Sequence, residues 1–340
     1  MPVPTLLRNW VDPLPTFVSD ALEDPGDPFA KRLSIFESTA LSDLGWTRED
    51  ELAGSWIIWS NDPLKDSKTF FRFDTGDPNV SDIGSFTTNA DVQGSCVIVR
   101  SYPSLADAQN KTNLVFAELL RIAEDDDTGS SDESQPYIIV GDSRGFYFFP
   151  GIQQNFRSSG TFPGFSPAIF AWLSYVGELP TFSGTPGGTT IISAGTETSG
   201  QFAPIRPGED VSGLNGKITG AIDGTASENL HSPKTIDRNL AHLGEPSAFG
   251  NQGPTLEFWL PLILIGRSTN QPRAILPGLM GPLFALPQAP SEGTTVRTIN
   301  TQLGQRSGVI VPIASDMQSA NVDGALFFDL ESDWDSYHVF

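Results

Sequence analysis

The stretch Pro136 to Pro150, PYIIVGDSRGFYFFP, constrains this chain more than any other. Four β-favouring residues, Tyr137, Ile138, Ile139 and Val140, lead into Gly141-Asp142-Ser143-Arg144-Gly145, and Phe146 to Phe149 lead back out. Two such runs around a short Gly-flanked connection predict a β-hairpin with a five-residue turn. Both runs are apolar at every position, so each strand should be covered on both faces, which places the hairpin at the centre of a core. Tyr137, Ile139, Phe146 and Phe148 are the expected core residues of this hairpin.

Other segments fit around it. Trp56 to Trp59 (WIIW) and Thr69 to Phe73 (TFFRF) bracket a polar turn with Asn61-Asp62-Pro63 and read as a second hairpin. In it Phe71 and Phe73 share one face, and Phe70 and Arg72 the other. Ser95 to Tyr102 (SCVIVRSY) reads as a strand. Ser104 followed by Asp107 has the spacing of a capping box and predicts a short helix. Asn113 to Ala123 places Leu114, Phe116, Ala117, Leu120 and Ile122 near helical spacing, with a strand as the alternative for part of it. A short helix is also expected within Pro28 to Leu44, with Phe29, Leu33 and Phe36 on one face and Gly45 closing it. Towards the C-terminus, Ile169 to Val176, Thr189 to Ser193, Leu256 to Ile265, Leu276 to Phe284, Val296 to Asn300, Gly308 to Ile313 and Ala325 to Leu330 are strand candidates.

Short β-rich segments between frequent turns, with 33 glycines and 27 prolines in 340 residues, predict a mainly β fold. The expected architecture is sandwich- or barrel-like, in two lobes divided near residues 176 to 190, with one or two short helices and long ordered loops. The chain divides into a Pro-rich N-terminal arm (1–30), an N-terminal β lobe (31–176), a Gly/Ser/Thr-rich excursion (177–255) and a C-terminal β segment (256–340). Six prolines in the arm forbid a continuous helix and predict an extended segment lying on its own domain or on a neighbouring subunit. The excursion is expected to be irregular structure ordered by a neighbouring protein.

Charge excludes several partners. Twenty basic residues against 41 acidic ones give a net charge of −21, which disfavours both nucleic acid and an anionic membrane surface. No apolar run reaches the roughly 20 residues of a membrane span. The start lacks a basic leader and an apolar signal core, pointing to synthesis in a cytoplasm. The single cysteine, Cys96, lies in an apolar run and is expected to be a buried small side chain, with no disulfide available.

The search for chemistry returns little. His231, His242 and His338 lack the spacing of a zinc site, and no nucleophile elbow, Walker loop or dinucleotide fingerprint occurs, so no catalytic residue, cofactor or metal is expected. The acidic stretch 124–135 (EDDDTGSSDESQ) reads as a solvated loop; cation binding by Asp125, Asp126 and Asp127 is the sharper alternative, without the ordered spacing of an EF-hand. A glycosidase pair among 41 acids would arise by chance. Trp46, Trp56, Trp59 and Trp172 are candidates for a sugar-stacking patch, against the plainer expectation of tryptophan in a core.

The ordered series Gly45-Trp46-Thr47, Phe71-Arg72-Phe73-Asp74, Val99-Arg100-Ser101-Tyr102 and Tyr137 to Asp142 with Gly145 to Phe149 resembles a family of virion structural proteins encoded by tailed bacteriophages. That family shows a GWT motif, an RVDD-like strand, a VRGYE-like strand and a D-x-R-x-F-Y-L-F hairpin in the same order. Gly177-Glu178 with Thr190-Ile191-Ile192, and Leu276-Pro277-Gly278-Leu279-Met280-Gly281-Pro282-Leu283, are similar to later motifs of the family, the second to L-P-G-L-W-x-P-L with Met280 in place of tryptophan. Ala285 and the length of residues 181–250 also depart from its pattern. The resemblance touches most of the chain from about residue 45 to 334 and implies a non-enzymatic virion component. Its expected partners are other virion proteins and copies of itself, in the tail, neck, collar or baseplate. Head decoration or a minor capsid role is the alternative, followed by a receptor- or glycan-binding virion module and a hydrolase of cell-surface sugar.

Overall fold

The computed structural model describes residues 5–6, 17–18, 36, 40–62, 68–74, 96–121, 134–135, 137–152, 169–170, 174–180, 186–192, 216–218, 228–229, 234–235, 259–265, 272–282, 295–301, 304–314 and 322–330. These are mostly strands in antiparallel sheets, with two short helices, so the fold is mainly β.

Two short strands lie in the N-terminal arm, β1 (Thr5–Leu6) and β2 (Phe17–Val18). Helix α1 (Ala40–Asp43) follows and ends at Gly45, whose φ of +93° lets the chain reverse into the next strand. Phe36 and Leu41 are fully buried, while Phe29 and Leu33 lie outside the described residues. A meander then builds a five-stranded antiparallel sheet from β3 (Thr47–Leu52), β4 (Trp56–Ser60), β5 (Phe70–Asp74), β6 (Cys96–Tyr102) and β7 (Phe116–Arg121). Helix α2 (Leu105–Asn110) connects the last two, with Ser104 as its N-cap: the Asp107 amide donates to Ser104 Oγ at 3.1 Å. The short helix and its Ser104 N-cap thus form as the spacing predicts, while the Asp107 carboxylate accepts from the Ser104 hydroxyl. The helical spacing read at 113–123 gives way to strand β7, because six consecutive positions of β6 offer it a complete antiparallel ladder.

Strand alternation sorts this sheet into two faces. Ile57, Trp59, Phe71, Phe73, Val97 and Val99 point to one side and join a buried cluster. Ile58 and Tyr102 point to the other side, where Ala108 of α2 covers them, with Trp56, Phe70, Leu105 and Leu114 packed around. The division of Phe71 and Phe73 from Phe70 and Arg72 follows the pattern predicted from the sequence.

A short strand β8 (Ser134–Gln135) pairs with β2. The expected central hairpin is β9 (Tyr137–Gly141) and β10 (Gly145–Ile152), in register from Gly141↔Phe146 to Tyr137↔Pro150. Its turn is tighter than the sequence suggests: Gly141 and Gly145 belong to the strands, and only Asp142, Ser143 and Arg144 connect them. Beyond it, β10 pairs with both β11 (Ile169–Phe170) and β12 (Ser174–Pro180), and β13 (Pro186–Ile192), β14 (Gly216–Ile218) and β15 (Glu228–Asn229) extend the sheet from β12. β12 runs through residue 176 without a break, and β13 to β15 lie inside the Gly/Ser/Thr-rich stretch.

The C-terminal strands follow a short β16 (Lys234–Thr235): β17 (Trp259–Ile265), β18 (Pro272–Pro282), β19 (Thr295–Thr301), β20 (Gly304–Ala314) and β21 (Val322–Asp329). Their pairings close on themselves in the order β17, β18, β21, β20, β19 and back to β17. Four contacts are antiparallel, and the last is a single parallel pair, Trp259↔Thr301. The ring is closed at that one pair alone, and further along β17 its edge is taken by β16, at Lys234↔Ile263 and Thr235↔Leu262.

The hairpin is covered on both sides. Ile139, Phe146 and Phe148, with Val176 from β12, lie in the same buried cluster as the inner face of the five-stranded sheet. On the opposite face Tyr147 sits 4.9 Å from Tyr175 and 5.4 Å from Phe328 of β21, ring centroid to centroid, and its hydroxyl donates to the Pro277 carbonyl of β18 at 2.9 Å. Leu276, Leu279, Met280, Phe327 and Phe328 are all fully buried. A run that is apolar at every position therefore forms the middle layer of three. Each large side chain it fully buries contributes roughly 1.5 to 3 kcal/mol. The side chain of Tyr137, the remaining expected core residue, lies outside the described residues, as does that of Cys96.

Candidate functional site

Among the described residues two clusters of buried polar side chains hold elements together, apart from Asp329 of β21, which stands 3.7 Å from Arg306 of β20. The first is the turn of the central hairpin. Asp142 and Arg144 are almost wholly buried, which requires that their charges be paired and their hydrogen bonds made. Arg144 Nη2 and Nε donate to Asp142 Oδ2 at 2.6 and 2.9 Å, and the amides of Arg144 and Gly145 donate to Oδ1 at 2.9 and 3.2 Å. An Asx-type turn locks the three-residue connection from inside.

The carbonyls of the same turn face outward and are claimed by other segments. Trp46 Nε1 donates to the Asp142 carbonyl at 2.9 Å. The Asp62 amide donates to the Ser143 carbonyl at 2.7 Å, and Asn61 Nδ2 and the Glu178 amide both donate to the Arg144 carbonyl, at 3.0 and 3.1 Å. The start of β3, the loop after β4 and strand β12 thus all meet on three residues. Gly177 makes the last contact possible: it has φ +144°, and a Cβ there would lie 2.5 Å from the Arg144 carbonyl oxygen. The Tyr175 hydroxyl donates to the Glu178 carbonyl at 2.5 Å. Burial pushes the Tyr175 phenol well above its ordinary range, and the Asp142 and Glu178 carboxylates add to this while Arg144 opposes it.

The second cluster lies on the outer face of the five-stranded sheet. Arg72 and Arg100 face each other across β5 and β6, and Asp74 neutralises both: Arg72 Nε donates to Oδ1 at 2.9 Å and Arg100 Nη1 to Oδ2 at 2.6 Å. All three are less than a twentieth exposed. Arg72 Nη1 also donates to the carbonyls of Ala108 and Gln109 at 2.9 and 3.1 Å, which are C-terminal groups of α2 that the helix cannot satisfy itself. Its guanidinium carbon lies 4.3 Å from the ring centroid of Trp56. Lys111 Nζ, half exposed, stands 3.9 Å from Asp74. Nearby on the surface, Asp107 accepts from the Ser104 hydroxyl at 2.5 Å and from Thr112 Oγ1 and Asn113 Nδ2 at 2.8 and 2.7 Å, which together hold its carboxyl below the usual range.

The tryptophans proposed as a binding patch are not brought together on a surface. Trp46 and Trp59 are buried, each with its indole N–H spent on a backbone carbonyl: Asp142 for Trp46 and, at 3.0 Å, Phe36 for Trp59. Trp56 is half-buried on the other face of the sheet, under Arg72. Burial of an indole with its N–H satisfied is core behaviour, so Trp46 and Trp59 cannot stack a sugar in solvent. Trp172 lies outside the described residues, as do the three histidines and the acidic run Asp125 to Asp127. Among the described residues no group of three or more metal-ligating side chains converges.

The sequence marks Gly141 to Gly145 only as the turn of a hairpin, and the structure adds its role as a meeting point. The signal was present in the aspartate and arginine set two apart between glycines, since a buried turn must carry its own counter-charge. No protein-family model matches this chain, and no curated protein matches it.

Proposed function

We propose that this chain is a non-enzymatic structural component of a tailed-bacteriophage virion, assembled in multiple copies in the tail, neck, collar or baseplate, and made in the host bacterial cytoplasm. Its partners are other virion proteins and copies of itself. What supports this is where the motifs of the resemblance fall. Trp46 of Gly-Trp-Thr caps the turn of the hairpin motif, Phe71 and Phe73 pack on the Phe146 side of that hairpin, and Tyr147 on its other side bonds to the Leu-Pro-Gly-Leu segment. Arg72, Asp74 and Arg100 form one buried network. Residues that carry the likeness are spent on joining layers, as a shared scaffold requires. The charge of −21 fits protein partners better than phosphate-bearing ones.

The test is mass spectrometry and cryo-electron microscopy of washed particles of the phage that encodes this chain. Several copies per particle in the neck or tail support the proposal. Placement on the head lattice replaces it with decoration or a minor capsid role, projection from a tail tip with an open aromatic cleft replaces it with receptor binding, and absence from the particle ends it.

A further inference from the structure

We draw no further inference here: the strongest candidate, the surface patch on the outer face of the five-stranded sheet where half-buried Trp56 lies under Arg72 with exposed Leu52 opposite it on β3 and half-exposed Lys111 beside Asp74, carries nothing because nothing among the described residues shows what covers it.

Discussion

Trp46 and Asp142, separated by 96 positions, are joined by one hydrogen bond: the indole N–H donates to the backbone carbonyl at 2.9 Å inside the core. The same ring packs edge-on against Phe146 at 5.2 Å and tilted against Phe71 at 5.3 Å. Trp46→Phe keeps most of the apolar contact and deletes the donor, leaving a buried carbonyl short of a partner. The expected loss is about 1 to 3 kcal/mol in urea unfolding, with the midpoint lowered and the slope unchanged. A midpoint equal to wild type would mean that this bond does not hold the turn to β3.

The Arg72, Asp74 and Arg100 network makes a sharper contrast. Asp74→Asn preserves shape but leaves two buried guanidiniums without their counter-charge, and should cost about 3 to 5 kcal/mol. Arg48 and Glu51 also form an ion pair, but their side chains are 38% and 44% exposed. Arg48→Ala should therefore stay within about 0.5 kcal/mol of wild type. Equal effects of the two substitutions, measured by the same denaturant titration, would show that burial does not set the worth of these pairs.

How far the sequence speaks depends on whether the deciding contacts are local. The β4–β5 hairpin and the two faces of β5 follow from alternation, because Phe71 and Phe73 must differ in environment from Phe70 and Arg72. The Ser104 cap follows from a spacing of three. Strand β3 carries no such signal: TREDEL is an edge strand whose side chains are exposed or half-exposed, so nothing forces an apolar alternation. Strand β7 is apolar in a pattern that suits either period, and only its neighbour β6 decides between them. The meeting of Trp46, Asn61 and Gly177 on one turn is set by tertiary packing. The Arg72, Asp74 and Arg100 network is more legible, as charged residues inside apolar strands, in FRFD and VRSY, since charge in such runs must be paired when buried.

Gly177→Ala tests how closely β12 must approach the turn. Its φ of +144° is one that residues with a Cβ avoid, and the added atom would be driven into the backbone of Arg144 and Gly145, which have no flexible end to move aside. Strain and overlap together should cost about 3 kcal/mol or more, enough to lower the yield of folded protein. Near-native stability of Gly177→Ala, by thermal unfolding, would show that the Glu178 amide to Arg144 carbonyl contact can be re-made at greater distance.

Tyr175 gives the hairpin an alkaline signature. Its phenol is held well above the ordinary value of 10.0 in the folded state by burial, with Asp142 and Glu178 reinforcing and Arg144 opposing. In the unfolded chain the same group releases its proton near pH 10, so above that pH the unfolded state binds fewer protons and folding stability falls as pH rises. The contribution is complete below pH 10 and is lost from there upward, at about 1.4 kcal/mol per pH unit for this one group. Tyr175→Phe removes the titration and also the 2.5 Å bond to the Glu178 carbonyl. The variant should be less stable than wild type at neutral pH, by about 1 kcal/mol, yet lose stability less steeply between pH 10 and 11. Denaturant midpoints at a series of pH values decide it: parallel curves for the two proteins would mean that Tyr175 ionises freely in the folded state, and therefore that the face of the hairpin turned toward β18 and β21 is open to water.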